Sequence, residues 1–149
     1  MTLLPLSDSK VLAKHNLELR IIQESHISTI LTQYTFLDLE EARPKFEEEA
    51  KASVVDDRMC AIGSYIVNTS RNERGMNEMF EWVKRVKNEQ DPVKQRVWYE
   101  LGRMEPKLLE LEHFPHIQEM IDFTVEARDN SGNYSINNFL QAMMKYWSR

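Results

Sequence analysis

The chain has 149 residues, 42% of them hydrophobic and 29% charged, with a net charge of −5. That length suits one domain with a real core, and that balance excludes both a disordered chain and a membrane-embedded one. With 4 glycines and 5 prolines, few of the tight turns of an all-β fold are available, so helix is favoured.

Residues 1–9 form a lead-in, with Ser7 or Ser9 as candidate caps. Leu3-Leu4-Pro5-Leu6 is too short for a signal-peptide core and lacks a basic flank. No apolar run nears the roughly 18 residues of a spanning helix, so the expectation is an intracellular, cytoplasmic protein without membrane contact. From Lys10 to Tyr34 the apolar pattern is mixed. Leu17, Leu19 and Ile21 alternate as in a strand, while Ile27, Ile30, Leu31 and Tyr34 step as in a helix; the whole segment is read as helix.

Asp38 before Leu39-Glu40-Glu41 predicts a helix start with acids favourable against the dipole, and Pro44 either begins that helix or follows its first turn. Phe46 to Ala52 has few large apolar residues and reads as a solvated face. The next helix, near Asp57 to Thr69, sets Met59, Ile62 and Ile66 on one stripe, with Gly63 permitting close approach of a neighbour. It also carries the single cysteine, Cys60, which excludes an internal disulfide and a zinc cluster and reads as a small buried hydrophobe. A polar connector is expected over Asn68 to Gly75.

Met76, Met79, Phe80, Val83 and Val86 then mark an amphipathic helix. Asp91-Pro92 reads as an N-cap followed by proline in the first turn. Val93, Val97, Leu101, Met104 and Leu108 keep helical spacing, and Pro106 inside the pattern predicts a bent or broken helix. Pro115 opens the next helix, Asp129 to Asn133 is a loop, and a final helix sets Ile136, Phe139, Leu140, Met143 and Trp147 on one side.

Met76-Asn77-Glu78-Met79-Phe80-Glu81-Trp82 recurs 41 residues later as Ile117-Gln118-Glu119-Met120-Ile121-Asp122-Phe123. A helix pair repeated at that spacing, with a proline-interrupted helix between the copies, resembles HEAT and armadillo repeats, whose period is roughly 40 to 47 residues. The resemblance covers residues 56–147. It implies stacked helix pairs with a concave binding surface. The expected fold is therefore all-α: stacked antiparallel helix pairs, as a HEAT-like α-solenoid or a right-handed helical bundle. One domain spans 1–149, with N-terminal helices in 1–55 and repeat-like pairs in 56–149.

Charge is uneven: residues 1–57 carry −5, residues 58–110 carry +2 and residues 111–149 carry −2. In the basic middle, Arg71, Arg74, Lys84, Arg85, Lys87 and Lys94 form the candidate nucleic-acid set, although acids such as Glu73, Glu78 and Glu81 are interleaved. Glu110, Glu112, His113, His116 and Glu119 have metal-ligand chemistry. Their Glu-x-x-His spacing would need a second such pair, and Gln23-x-x-His26 is a poor one, so no metal is assigned. No catalytic motif, phosphate-binding glycine loop or cofactor signature is present.

On the Val93/Val97/Leu101 helix, Trp98 lies beside the apolar stripe and Tyr99 further round. Arg96, Trp98, Tyr99 and Arg103 are the candidate protein-binding residues, since large aromatics and arginine carry much interface energy. The leading expectation is a noncatalytic helical-repeat protein that binds another protein as adaptor, scaffold or regulator. Its exposed stack ends add a homodimer as a secondary expectation. The alternative is a helical-repeat protein that binds or modifies nucleic acid through the basic middle. HEAT-like DNA glycosylases use aromatics and acids on such a surface, but this chain is acidic overall and shorter than that family.

Overall fold

Over residues 5–126 eight α-helices follow one another in the computed structural model, which describes those residues with 136, 137, 140, 141, 143 and 144. Among the described residues there is no strand, and no helix is long and apolar enough to cross a membrane. The segment expected as one helix from Lys10 to Tyr34 is three: α1 (Leu6–Glu18), α2 (Arg20–Gln23) and α3 (Ile27–Tyr34). Leu19 takes an extended conformation, φ −74° and ψ 129°, which ends α1. At the second break His26 caps α3, its Nδ1 accepting from the Ser28 N–H at 3.2 Å. Val11, Leu12 and Ile21 remain exposed, so the mixed period reflects short helices that bury only part of their apolar residues.

In α4 (Leu39–Glu49) Pro44 stands inside the helix, where it forfeits one backbone bond yet leaves the helix intact. The stretch expected to be solvated is anchored here. Phe46 is fully buried, and Ala50, one turn on, is buried beside it. An aromatic row continues the anchor: Phe46 meets Tyr34 edge-on at 6.5 Å and stacks on Tyr65 at 6.0 Å, and Tyr65 meets Trp82 at 4.7 Å. Contacts of this kind contribute about 0.5–1.5 kcal/mol each beyond burial.

The centre of the molecule is α5 (Val55–Asn72). Ala61, Ile62, Tyr65, Ile66, Asn68 and Thr69 are all buried, which gives apolar and polar faces alike a neighbour. The connector expected from Asn68 therefore starts five residues later. Asn68 Nδ2 donates to the carbonyls of Leu37 (2.8 Å), Tyr34 (3.2 Å) and Thr35 (3.2 Å), and Asn72 Nδ2 donates to Leu37 O (3.1 Å) and Asn68 O (2.9 Å). These amides satisfy carbonyls that the end of α3 leaves without a helical partner. The helix stops where Glu73 turns left-handed (φ 52°), and Gly75 (φ 77°) follows at a point where a Cβ would run into Leu39.

The stripe Met76, Met79, Phe80 and Val83 of α6 (Met76–Val83) is buried, and a 3₁₀ turn over Lys84–Asn88 buries Val86. In α7 (Asp91–Arg103) Gln90 occupies the cap, which places Asp91 and Pro92 in the first turn. Val93, Val97, Leu101 and Met104 are buried, and of the two outcomes expected at Pro106, bent or broken, the helix takes the second and ends at Arg103. Proline disfavours helical geometry in the residue before it, and Glu105 is extended. Two 3₁₀ turns, Pro106–Leu108 and Leu111–His113, lead into α8 (Phe114–Glu126), with Pro115 in its first turn.

The matched segments of α6 and α8 touch each other and share a burial pattern: Met76 with Ile117, Met79 with Met120, Val83 with Thr124. The principal contacts join neighbours and next neighbours: α1 packs on α3, α3 on α5 and α5 on α7, while α4 and α6 lie on α5 and α8 on α6. Ile136 and Met143 are buried and Leu140 is partly exposed; the expected loop Asp129 to Asn133, Phe139 and Trp147 lie outside the described residues.

Candidate functional site

Helical spacing sets Arg96, Glu100 and Arg103 on one face of α7, and Ser64, Val67, Ser70 and Arg71 on one face of α5. These faces and the end of α3 enclose an open cleft of about 460 Å³. Its charged lining is Arg71, Arg96, Arg103 and Glu100, with the hydroxyls of Thr32, Thr35, Ser64 and Ser70 between them.

Each arginine is held differently. Arg96 Nη2 pairs with Glu100 Oε1 at 2.6 Å, one helical turn on, and that carboxylate is only 6% exposed. Its Nε is buried with no hydrogen-bond acceptor among the described residues. Arg71 donates to the Thr35 hydroxyl, and its guanidinium carbon lies 3.7 Å from the Phe36 ring centroid. Burial lowers its pKa from arginine's ordinary value, the mark of a cation taken out of water, though an arginine stays charged at any physiological pH. Arg103 is exposed and donates to the Tyr99 hydroxyl at 2.8 Å.

Tyr99 stands at the edge of this group, 51% exposed. The guanidinium carbons of Arg103 and Arg96 lie 5.3 Å and 5.7 Å from its ring centroid. Such cation–π contacts contribute about 0.5–1 kcal/mol at exposed sites and hold the ring in place. Arg96, Tyr99 and Arg103, predicted as one protein-binding group, are thus adjacent in space.

Trp98 is a correction to that group. It is 1% exposed, and its Nε1 donates to Thr124 Oγ1 at 3.2 Å, while the Thr124 hydroxyl donates to Met120 O at 2.6 Å. It fastens α7 to α8 and has no surface to offer a partner.

The nucleic-acid set is divided. Arg71 faces the cleft, Arg74 makes a two-pronged bond with Glu40 of α4 at 2.7 Å and 2.6 Å, and Lys84 pairs with Glu119 (2.7 Å) and Glu81 (3.0 Å). The Lys84 bond to Glu119 raises the lysine pKa and lowers that of the carboxyl. Arg85 lies over the Trp82 ring at 5.0 Å, Lys87 is exposed and Lys94 is half-buried on α7. Arg74 and Lys84 are therefore matched by carboxylates, while the others of the set are not drawn together on one surface.

His113 and His116 both face the Phe80 ring, at 5.7 Å and 5.8 Å. His113 Nδ1 accepts from the Glu110 N–H at 2.9 Å, and His116 Nδ1 lies 3.2 Å from Glu81 Oε1. Among the described residues no three metal-ligating side chains converge. Cys60 is half-buried, and burial pushes its thiol up, away from the reactive thiolate.

Sequence reasoning missed Glu100, Ser64, Ser70, Thr32 and Thr35. The Arg96/Glu100 spacing and the small residues Gly63, Ser64 and Ser70 at helical intervals on α5 carried the signal. Compared with known proteins, the chain matches no family model, no curated protein and no solved structure.

Proposed function

We propose that the chain is a noncatalytic helical-repeat module that binds another protein through the α3–α5–α7 cleft and Tyr99 at its edge. The carrying observation is the cluster itself: Arg96 and Arg103 flank an exposed tyrosine, and Arg71 faces the same cleft from α5. Exposed tyrosine and arginine at little cost in side-chain freedom are what interfaces use as anchors. A HEAT-like stack of helix pairs is part of the reading. It is supported by the neighbour and next-neighbour packing of the helices and by the shared burial of α6 and α8. The N-terminal end of such a stack leaves Val11, Leu12 and Ile21 exposed, which supports a homodimer; sedimentation finding only monomer at high concentration rejects that part.

The test compares the tagged chain with a variant carrying Arg96→Ala, Tyr99→Ala and Arg103→Ala, each incubated with nuclease-treated and untreated lysate of the source cells. Circular dichroism first checks that the variant folds. A stoichiometric protein held by the parent chain, insensitive to nuclease and lost with the variant, supports the reading. Equal retention by both chains discards this surface. The guanidinium cluster also favours a second reading, nucleic-acid binding, which predicts loss on nuclease treatment and steep weakening with salt as phosphate counterions are released.

A further inference from the structure

We propose that the cleft between α3, α5 and α7 receives one phosphomonoester group, carried on a serine or threonine side chain of the bound protein. The proposal rests on the protein-binding reading and adds the chemistry of what is bound.

Three guanidinium groups and one carboxylate line the cleft, a local charge of +2 in a chain whose net charge is −5. Several other cations of the chain are matched with acids: Arg74 with Glu40, Lys84 with Glu119, Lys107 with Glu73, Arg58 with Glu89. In the cleft three arginines share one carboxylate. Among the described residues Arg71 and Arg103 form no ion pair and bond only to the hydroxyls of Thr35 and Tyr99. Arg96 spends one nitrogen on Glu100 and leaves its buried Nε without an acceptor. Arg71 is partly buried without a carboxylate partner and Arg103 has none either, so the arrangement gains from an anion that arrives with the ligand.

The count of charges selects the anion. A phosphomonoester carries about −1.5 to −2 near neutral pH, with three acceptor oxygens, which matches the local +2 and the spare N–H groups of three planar forks. A carboxylate supplies −1 and two oxygens and leaves a fork unanswered. The hydroxyls of Ser64 and Ser70 beside Arg71 are further donors suited to phosphate oxygens. A nucleic-acid strand demands a continued row of unmatched cations, and here Arg74, Lys84 and Lys107 are tied to carboxylates and interrupt such a row. One isolated cationic cleft fits one phosphate.

The full chain is immobilised and offered degenerate peptide pools with a central phosphoserine or phosphothreonine, the same pools unphosphorylated, and an oligothymidine of similar length. The expected result is retention of the phosphorylated pool at least about tenfold above the unphosphorylated one. Inorganic phosphate should compete it away, and the Arg71→Gln and Arg103→Gln variants should lose it. Arg103 is exposed, so its variant answers the question even where Arg71→Gln fails to fold. Equal retention of both pools overturns the phosphate inference and leaves the protein-binding reading standing. Preference for oligothymidine overturns both in favour of nucleic acid. Retention of none of the probes, with no amide shift on titrating inorganic phosphate, overturns the phosphate inference alone, since the lysate comparison judges the other reading separately.

Discussion

Arg96 of α7 lies across Gly63 of α5, so close that a Cβ at position 63 would stand 2.7 Å from its Nε and 3.3 Å from its Cγ. The absent side chain on α5 lets the guanidinium lie over the helix and reach the cleft. Packing and candidate site thus meet at one residue pair.

Gly63→Ala follows from that pair. Alanine gains up to about 1 kcal/mol in helix propensity over glycine, and what it displaces is a flexible side chain rather than backbone. The variant should melt at the same temperature or higher, yet bind the phosphorylated peptide pool less well because Arg96 is pushed aside. Calorimetry and the retention assay check the two halves. A clear drop in melting temperature would show that the displaced Arg96 leaves the buried Glu100 carboxylate without its partner or that α5 and α7 are wedged apart.

Asn68 predicts the opposite balance, a large stability effect at a distance from the partner surface. Its amide is fully buried and donates to three carbonyls at the end of α3, while its own Oδ1 finds no donor among the described residues. Asn68→Ala takes the side-chain donor from Thr35 O, leaves Leu37 O to Asn72 and Tyr34 O to the Leu37 N–H, and should cost about 1–3 kcal/mol. Urea denaturation measures it. A loss within the scatter of surface substitutions, about 0.5 kcal/mol, would mean that the carbonyls find another partner.

Neighbouring aromatics on α7 should separate cleanly. Trp98→Ala empties a buried site and strips Thr124 of its donor, for an expected loss of about 3–5 kcal/mol. Tyr99→Ala removes a side chain that is 51% exposed, with its cation–π contacts to two arginines, and should cost about 1–2 kcal/mol while lowering partner binding. Thermal melts of the two variants, run side by side, decide it; equal destabilisation would place Tyr99 in the core.

Much of this was legible in the sequence wherever a single helix carried the signal. Met76, Met79, Phe80 and Val83 repeat with one helical period, and the same period set Tyr99 outward on α7. What escaped needed more than one helix. Thr35, Ser70 and Arg71 come from α3 and α5, and Arg96, Glu100 and Arg103 from α7, so residues that look like solvated positions on their own helix line a common cleft. Asn68 misled for the same reason: a polar residue near the end of an apolar run reads as a loop unless the carbonyls it serves, some thirty positions earlier, are in view. The break at Pro106 depended on competition between helical spacing and the extended residue that proline imposes, and the spacing lost.

Acid should act through two surface pairs. The carboxyl of Glu40 is held below its ordinary 4.5 by its bonds to Arg74, and that of Glu119 by its bond to Lys84. A carboxyl whose pKa is depressed on folding adds stability that is fully present above its unfolded value and is lost as pH falls through the folded one. Glu40→Gln and Glu119→Gln should therefore lower the urea midpoint slightly near neutral pH, and the difference from the parent chain should shrink as the pH falls below 4.5. Both carboxylates are exposed, so added salt should shrink the neutral-pH difference as well. If the gap were unchanged by acid and by salt, the glutamates would be acting through packing or helix propensity instead of charge.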